Sequence, residues 1–112
     1  MKTNSKVDFS IITPTYNRDK LLPRLADSLN SQCDHIAEWI IIDDGSTDET
    51  KTLIKRLSSE LSFRVKYKYH KNRGMHHSLN LAFELVTGNY LFKIDSDDYL
   101  MKGSLDLIYE KI

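Results

Sequence analysis

Residues 39–49 read WIIIDDGSTDE. Trp39 to Ile42 is continuously apolar, as in a strand buried on both faces, and Asp43, Asp44 and Gly45 end it in a turn. Ser46 and Glu49 stand at capping-box spacing ahead of Leu53, Ile54, Leu57 and Leu61, which share one helical face. A buried strand that passes through an acidic turn straight into a helix is the repeating unit of parallel α/β sheets.

The same unit recurs on either side. Val7 to Thr13 is a β-branched and aromatic run that stops at Pro14, and Leu22, Leu25, Ala26 and Leu29 follow at helical spacing. Asn17 is the expected N-cap of that helix, with Pro23 in its first turns. Phe63 to Tyr69 alternates apolar and basic residues, which predicts a strand with one solvated face near a sheet edge. Asn72, Arg73 and Gly74 read as a loop, and Leu79, Ala82, Phe83 and Val86 mark a third helix that stops near Gly88. Tyr90 to Ile94 is a fourth strand running into Asp95, and Leu105, Ile108, Tyr109 and Ile112 again have helical spacing. The expected fold is α/β: a mostly parallel sheet, right-handed crossovers and helices on both faces. Ligands of such sheets lie beyond the carboxyl ends of the strands, where TPTYNR, DDGSTDE and DSDD are expected to converge.

Composition narrows the function. A chain of 112 residues with 40% hydrophobic and 29% charged residues suits one soluble globular domain. Sixteen basic residues balance sixteen acidic ones, so the overall positive field that gathers a nucleic-acid backbone is missing. The single Cys33 excludes an internal disulfide and points to the cytoplasm as the default compartment. Trp39 to Ile42 is far shorter than the ~20 apolar residues of a membrane-spanning helix, and no membrane segment is expected.

Asp95, Asp97 and Asp98 crowd three carboxylates after an apolar strand. Such carboxylates repel one another, and a hard cation, Mg²⁺ or Mn²⁺, relieves the repulsion while keeping positions open for diphosphate oxygens. The same residues also suit a solvated acidic turn that caps the next helix. An EF-hand loop starting at Asp95 fails, because Leu100 and Asp106 occupy the positions that need Gly and Glu. Asp43 and Asp44 are placed to accept a hydrogen bond from a base or ribose hydroxyl, or to favour a helix N-terminus through its dipole. Tyr16 offers a flat face to a base, and Arg18 a forked donor to a diphosphate. The turn after the first strand has no GxGxxG, which disfavours a dinucleotide cofactor. His76 opens the third helix, where it can reach an anion, whereas His35 and His70 carry no signal.

Taken in order, SIITPTYNR, WIIIDDGSTDET, NRGMHHSLNLAFELVTGNYL and KIDSDDYL resemble the N-terminal part of the family 2 glycosyltransferases, which share the GT-A fold. The resemblance implies an inverting, metal-dependent transfer from a nucleotide diphosphate sugar, usually of uridine. It implies that Pro14, Tyr16 and Asp44 border the uracil with Arg18 nearby. Asp97 and Asp98 would face ribose, diphosphate and metal, with Asp95 opening the DxD. Asn72, Gly74 and His76 join the nucleotide-sugar set; GMHHSLN matches a GxHxxLN subgroup through Gly74, His76, Leu79 and Asn80, although Met75 stands where that subgroup often has Lys. The family's general base is an acidic residue on the acceptor side, expected beyond residue 112. On this reading residues 1–112 are one partial domain, the nucleotide-binding half without the acceptor-binding half. The acceptor is unknown, and self-association through exposed edges is expected. The alternative is a catalytically inactive nucleotide-binding fragment or an interaction module.

Overall fold

The computed structural model of the chain describes residues 8–71 and 75–111, the side chains of 75–78 excepted. Its strands are β1 (Phe9–Thr15), β2 (Ile36–Asp43), β3 (Arg64–Tyr69) and β4 (Tyr90–Lys93). Its helices are α1 (Leu22–Asn30), α2 (Thr50–Glu60), α3 (Met75–Leu85) and α4 (Ser104–Lys111), with a short 3₁₀ turn at Cys33–His35. The strands form one sheet in the order β3-β2-β1-β4, and every neighbouring pair is parallel.

Period-2 alternation along the two central strands separates the cores. Phe9 and Ile11 of β1 and Trp39 and Ile41 of β2 face α1, α2 and α4, where they pack with Leu22, Leu25, Leu29, Ile54, Leu57 and Leu105. Ile12, Ile40 and Ile42 face the other way and meet Ala82 of α3. Burying a Leu or Ile side chain contributes about 1.5–3 kcal/mol, so the central strands and α1 carry most of the hydrophobic stabilisation. Trp39 is fully buried and satisfies its indole N–H by donating to Thr13 Oγ1 at 2.9 Å. β3 lies at one edge of the sheet, as its alternation predicts, and β4 lies at the other.

Chain order changes direction at β1: β2 lies on one side and β4 on the other. That is the topological switch point, and the crevice outside it is where such sheets take ligands. Register levels the carboxyl ends, because Thr15 pairs with Asp43 and Asp43 with Tyr69, while Ile94 N–H donates to Ile12 O beyond β4.

Two capping expectations are corrected. Asn17 does not cap α1, which starts at Leu22 after Leu21 with no side-chain cap. Instead Asn17 adopts φ 51° and its Oδ1 accepts the N–H groups of Thr47 and Asp48 at 2.8 and 3.2 Å. Ser46 and Glu49 form no capping box either. Asp48, one residue before the N-cap Glu49, instead holds the first residue of α2, with Oδ1 accepting from both the N–H and the hydroxyl of Thr50.

Candidate functional site

The loops after β1, β2 and β4 enclose a cleft of about 390 Å³ lined by Pro14, Thr15, Tyr16, Arg18, Asp44, Asp95, Ser96 and Asp97. Three segments spread over some eighty residues of chain thus share one rim, because parallel strands deliver their carboxyl ends to the same edge.

The first two loops are sewn together. Asn17 N–H donates to Ser46 Oγ at 2.8 Å, Asp19 N–H to Asp48 Oδ2 at 3.2 Å, and Glu49 N–H to Asp19 Oδ2 at 3.1 Å. Asp44 N–H donates to Thr15 O at 2.9 Å. Burial acts to raise the Asp48 carboxyl, but the hydroxyl and N–H of Thr50 and the N–H of Asp19 outweigh it and hold the group below its ordinary value. Asp48 is therefore an ionised strut between the loops.

Asp43 and Asp44 have separate fates. Asp44 borders the cleft, and its Oδ1 lies 3.3 Å from His70 Nδ1. The same nitrogen is 2.7 Å from Lys71 O, an obligate acceptor, so Nδ1 carries the hydrogen. Asp43, expected among the ligand-binding residues, is fully buried and offers a ligand no surface. Its Oδ1 accepts from Ser46 N–H at 2.8 Å and its Oδ2 from the Tyr67 hydroxyl at 2.5 Å. Burial, followed by that hydrogen bond and the Asp43 charge, pushes the Tyr67 phenol far above its ordinary range, so it remains a donor. Asp43 positions the turn that presents Asp44.

Beyond β4, Asp95, Asp97 and Asp98 each bring one carboxylate oxygen within 4.8 Å of the others, all three residues being exposed. Asp98 N–H donates to Asp95 O at 3.0 Å, which folds the segment into a turn. Lys93 Nζ lies 2.7 Å from Asp95 Oδ1 and offsets part of the charge. The donors are hard oxygens on an open rim, the chemistry that a six-coordinate Mg²⁺ or Mn²⁺ accepts. Arg24 on α1 donates to Asp97 O at 2.7 Å and stacks on Tyr99 at 4.5 Å, fixing the turn from below.

Of the sequence candidates, Pro14, Tyr16, Arg18, Asp44, Asp95 and Asp97 line one cleft, and Asp98 joins it through the carboxylate cluster. Asn72 and Gly74 lie outside the described residues, as does the side chain of His76, which belongs to the first turn of α3. Sequence reading missed Arg24 and His70, whose partners are distant in the chain. It also passed over Thr15, whose buried Oγ1 has no hydrogen-bond partner among the described residues and borders the cleft.

Fold and site together define the N-terminal, Rossmann-like half of a GT-A glycosyltransferase. The family model for glycosyl transferase family 2 matches residues 10–112, and the chain belongs to that family. It is similar to glycosyltransferase GlyA of Streptococcus pneumoniae, 31% identical over 103 residues that cover 92% of this chain and 15% of that protein. Among solved structures it is similar to Staphylococcus aureus TarS residues 1–349 in complex with UDP-GlcNAc, with TM-score 0.80, 30% identity and coverage of 93% of this chain and 30% of that one. The mannosyltransferase PcManGT of Pyrobaculum calidifontis, in complex with GDP-Man and Mn²⁺, gives TM-score 0.77 and 26% identity over 91% of this chain and 31% of that one. The chain spans 15% of the length of GlyA and 17% of TarS.

Proposed function

We propose that residues 1–112 are the nucleotide-sugar-binding half of an inverting, metal-dependent glycosyltransferase that draws on a UDP-sugar in polysaccharide or glycoconjugate synthesis. The observation that carries this reading is the shared cleft, where Tyr16, Arg18 and Asp44 face the carboxylates of Asp95 and Asp97. Tyr16, 47% exposed, stacks on the base beside Pro14, and Asp44 accepts a hydrogen bond from it. Arg18 pairs with the diphosphate in bidentate fashion. Asp97 and Asp98 would hold Mn²⁺ or Mg²⁺, beside Asp95, one of whose oxygens Lys93 already engages. A cation bound there offsets the negative charge that develops on the departing diphosphate. Asn72, Gly74 and His76 complete the donor side. The general base lies outside these residues, on an acceptor-binding half, and the sugar acceptor approaches from there. We place the reaction in the cytoplasm; no described helix is long and apolar enough to cross a membrane.

The reading is tested by thermal unfolding with UDP and Mn²⁺. Ligand at a hundred times its dissociation constant stabilises the folded chain by about 2.7 kcal/mol, a rise of about ten degrees in a domain of this size. The rise is expected with UDP and Mn²⁺ together and is lost in Asp97→Ala. A folded sample that shows no shift at millimolar UDP and Mn²⁺ rules the reading out.

A further inference from the structure

The chain as a whole is electrically balanced, yet residues 51–71 hold seven Lys and Arg residues and a single acidic one, Glu60. This segment is α2 and β3, the sheet margin away from the cleft's β4 side. Two of the seven are already paired: Lys66 with Glu38 at 2.7 Å, and Arg56 with Glu60 at 3.8 Å. Lys51, Lys55, Arg64, Lys68 and Lys71 are exposed and have no acidic partner among the described residues. An unpaired cation cluster on a neutral protein is a local field that a partner of opposite charge can use.

The same margin contains a groove of about 240 Å³ between α2 and β3. Ile54, Val65 and Tyr67 form its apolar lining, and Lys51, Lys55 and Ser58 its polar one. Lys51 and Lys55 are one helical turn apart, so their ammonium groups border the same side of the groove. Arg64 and Lys68 project from the other face of β3, but β3 is the edge strand, so both faces border the same margin. Apolar floor and cationic rim call for a ligand with an apolar chain and an anionic head. The cations beyond the groove call for many such heads at once, which one soluble small molecule does not provide.

We propose that the α2–β3 margin docks this chain peripherally on an anionic lipid bilayer, with one lipid engaged in the groove beneath Lys51 and Lys55. Two weak signals act together, as stable peripheral attachment requires: a basic cluster and a site for apolar contact.

The test is co-sedimentation of the 112-residue chain with vesicles of phosphatidylglycerol and phosphatidylcholine in equal parts, against vesicles of phosphatidylcholine alone. Binding is expected to the anionic vesicles only, and to weaken steeply with salt. Each basic residue at such a surface is worth about fivefold in partitioning, so the triple variant Lys51→Glu, Lys55→Glu, Lys68→Glu is expected to lose roughly a hundredfold or more. A variant with the same net charge change at Lys20, Lys102 and Lys111, which lie outside this margin, is expected to keep most of the binding, and circular dichroism checks that both variants are folded. Absence of binding to anionic vesicles at low salt overturns the proposal, as does equal loss in the two variants. Soluble polyglutamate that strips the chain from vesicles at equal charge concentration also overturns it, and identifies the margin as a surface for an acidic protein.

Discussion

Glu38 is 1% exposed near the amino end of β2, and nothing about its burial favours a charge. Burial acts to raise its carboxyl, but the Lys66 ammonium, the Ser10 hydroxyl at 2.6 Å and the Thr87 N–H at 2.6 Å overcome this and bring it to about 2. Gly88 N–H closes the network by donating to Ser10 Oγ at 2.9 Å; a Cβ on Gly88 would lie 2.6 Å from the same oxygen. The folded value lies below the ordinary 4.5, so the stabilisation is complete above that pH and is lost as pH falls from 4.5 towards 2. Glu38→Gln is expected to cost on the order of 3 kcal/mol at neutral pH, because Lys66 is left without its counter-charge, and to flatten the acid limb in that window. Urea unfolding across pH reads both, and an unchanged acid limb would refute the assignment. Tyr67→Phe removes a charge-assisted bond to Asp43 and is expected to cost about 1.5–3 kcal/mol in the same assay. The separation of Asp43 from Asp44 was partly legible: adjacent residues at a strand end point to opposite faces, so only one of two neighbouring carboxylates was free to face the cleft. Which one it is depends on Tyr67, a neighbouring strand away.

Helix α1 does two jobs on two faces. Leu22, Leu25 and Leu29 enter the core, while Arg24, Ser28 and Gln32, spaced four apart along α1 and the turn after it, hold the segment that follows β4. Ser28 Oγ accepts from Leu100 N–H at 3.0 Å, and Gln32 accepts from Leu105 N–H at 2.7 Å and donates to Met101 O at 3.0 Å. The apolar face was readable from its period, and so were the strands and helices themselves. The polar stripe was not, because its partners lie some seventy residues away and local spacing carries no trace of them. The loop clasp of Asn17, Asp19 and Asp48 escaped for the same reason: its partners lie about thirty residues apart, and of the three only Asn17 was given a role, as the cap of α1. Gln32→Ala leaves a buried N–H unpaired and is expected to destabilise the fold by about 1–3 kcal/mol. It should also loosen the turn that carries Asp97 and Asp98 and weaken Mn²⁺-dependent UDP binding. Gln32→Glu keeps the acceptor for Leu105 and is expected to recover part of the loss; equal losses in both variants would place the effect elsewhere.

The two margins of the sheet differ in how they meet solvent. β3 is guarded by Arg64 and Lys68, the charges that keep an edge strand from pairing with another chain. β4 has Tyr90 and Leu91 at 43% and 39% exposure, and no described strand pairs with its outer side. Phe83, Met101 and Leu107 add exposed apolar surface elsewhere on the chain. An open backbone edge flanked by apolar side chains recruits another strand, and a second copy of the 112-residue chain presents the same four residues, Tyr90–Lys93. Self-association is therefore expected to run through β4 and not β3. Light scattering coupled to gel filtration should show a mass that rises with concentration, and Leu91→Lys should return the chain to a monomer without lowering its melting temperature. The lipid-docking triple variant on β3 and α2 should leave the mass unchanged, because it alters the opposite margin. A chain that remains monomeric at every concentration would mean that the β4 edge is too short to hold a partner by itself.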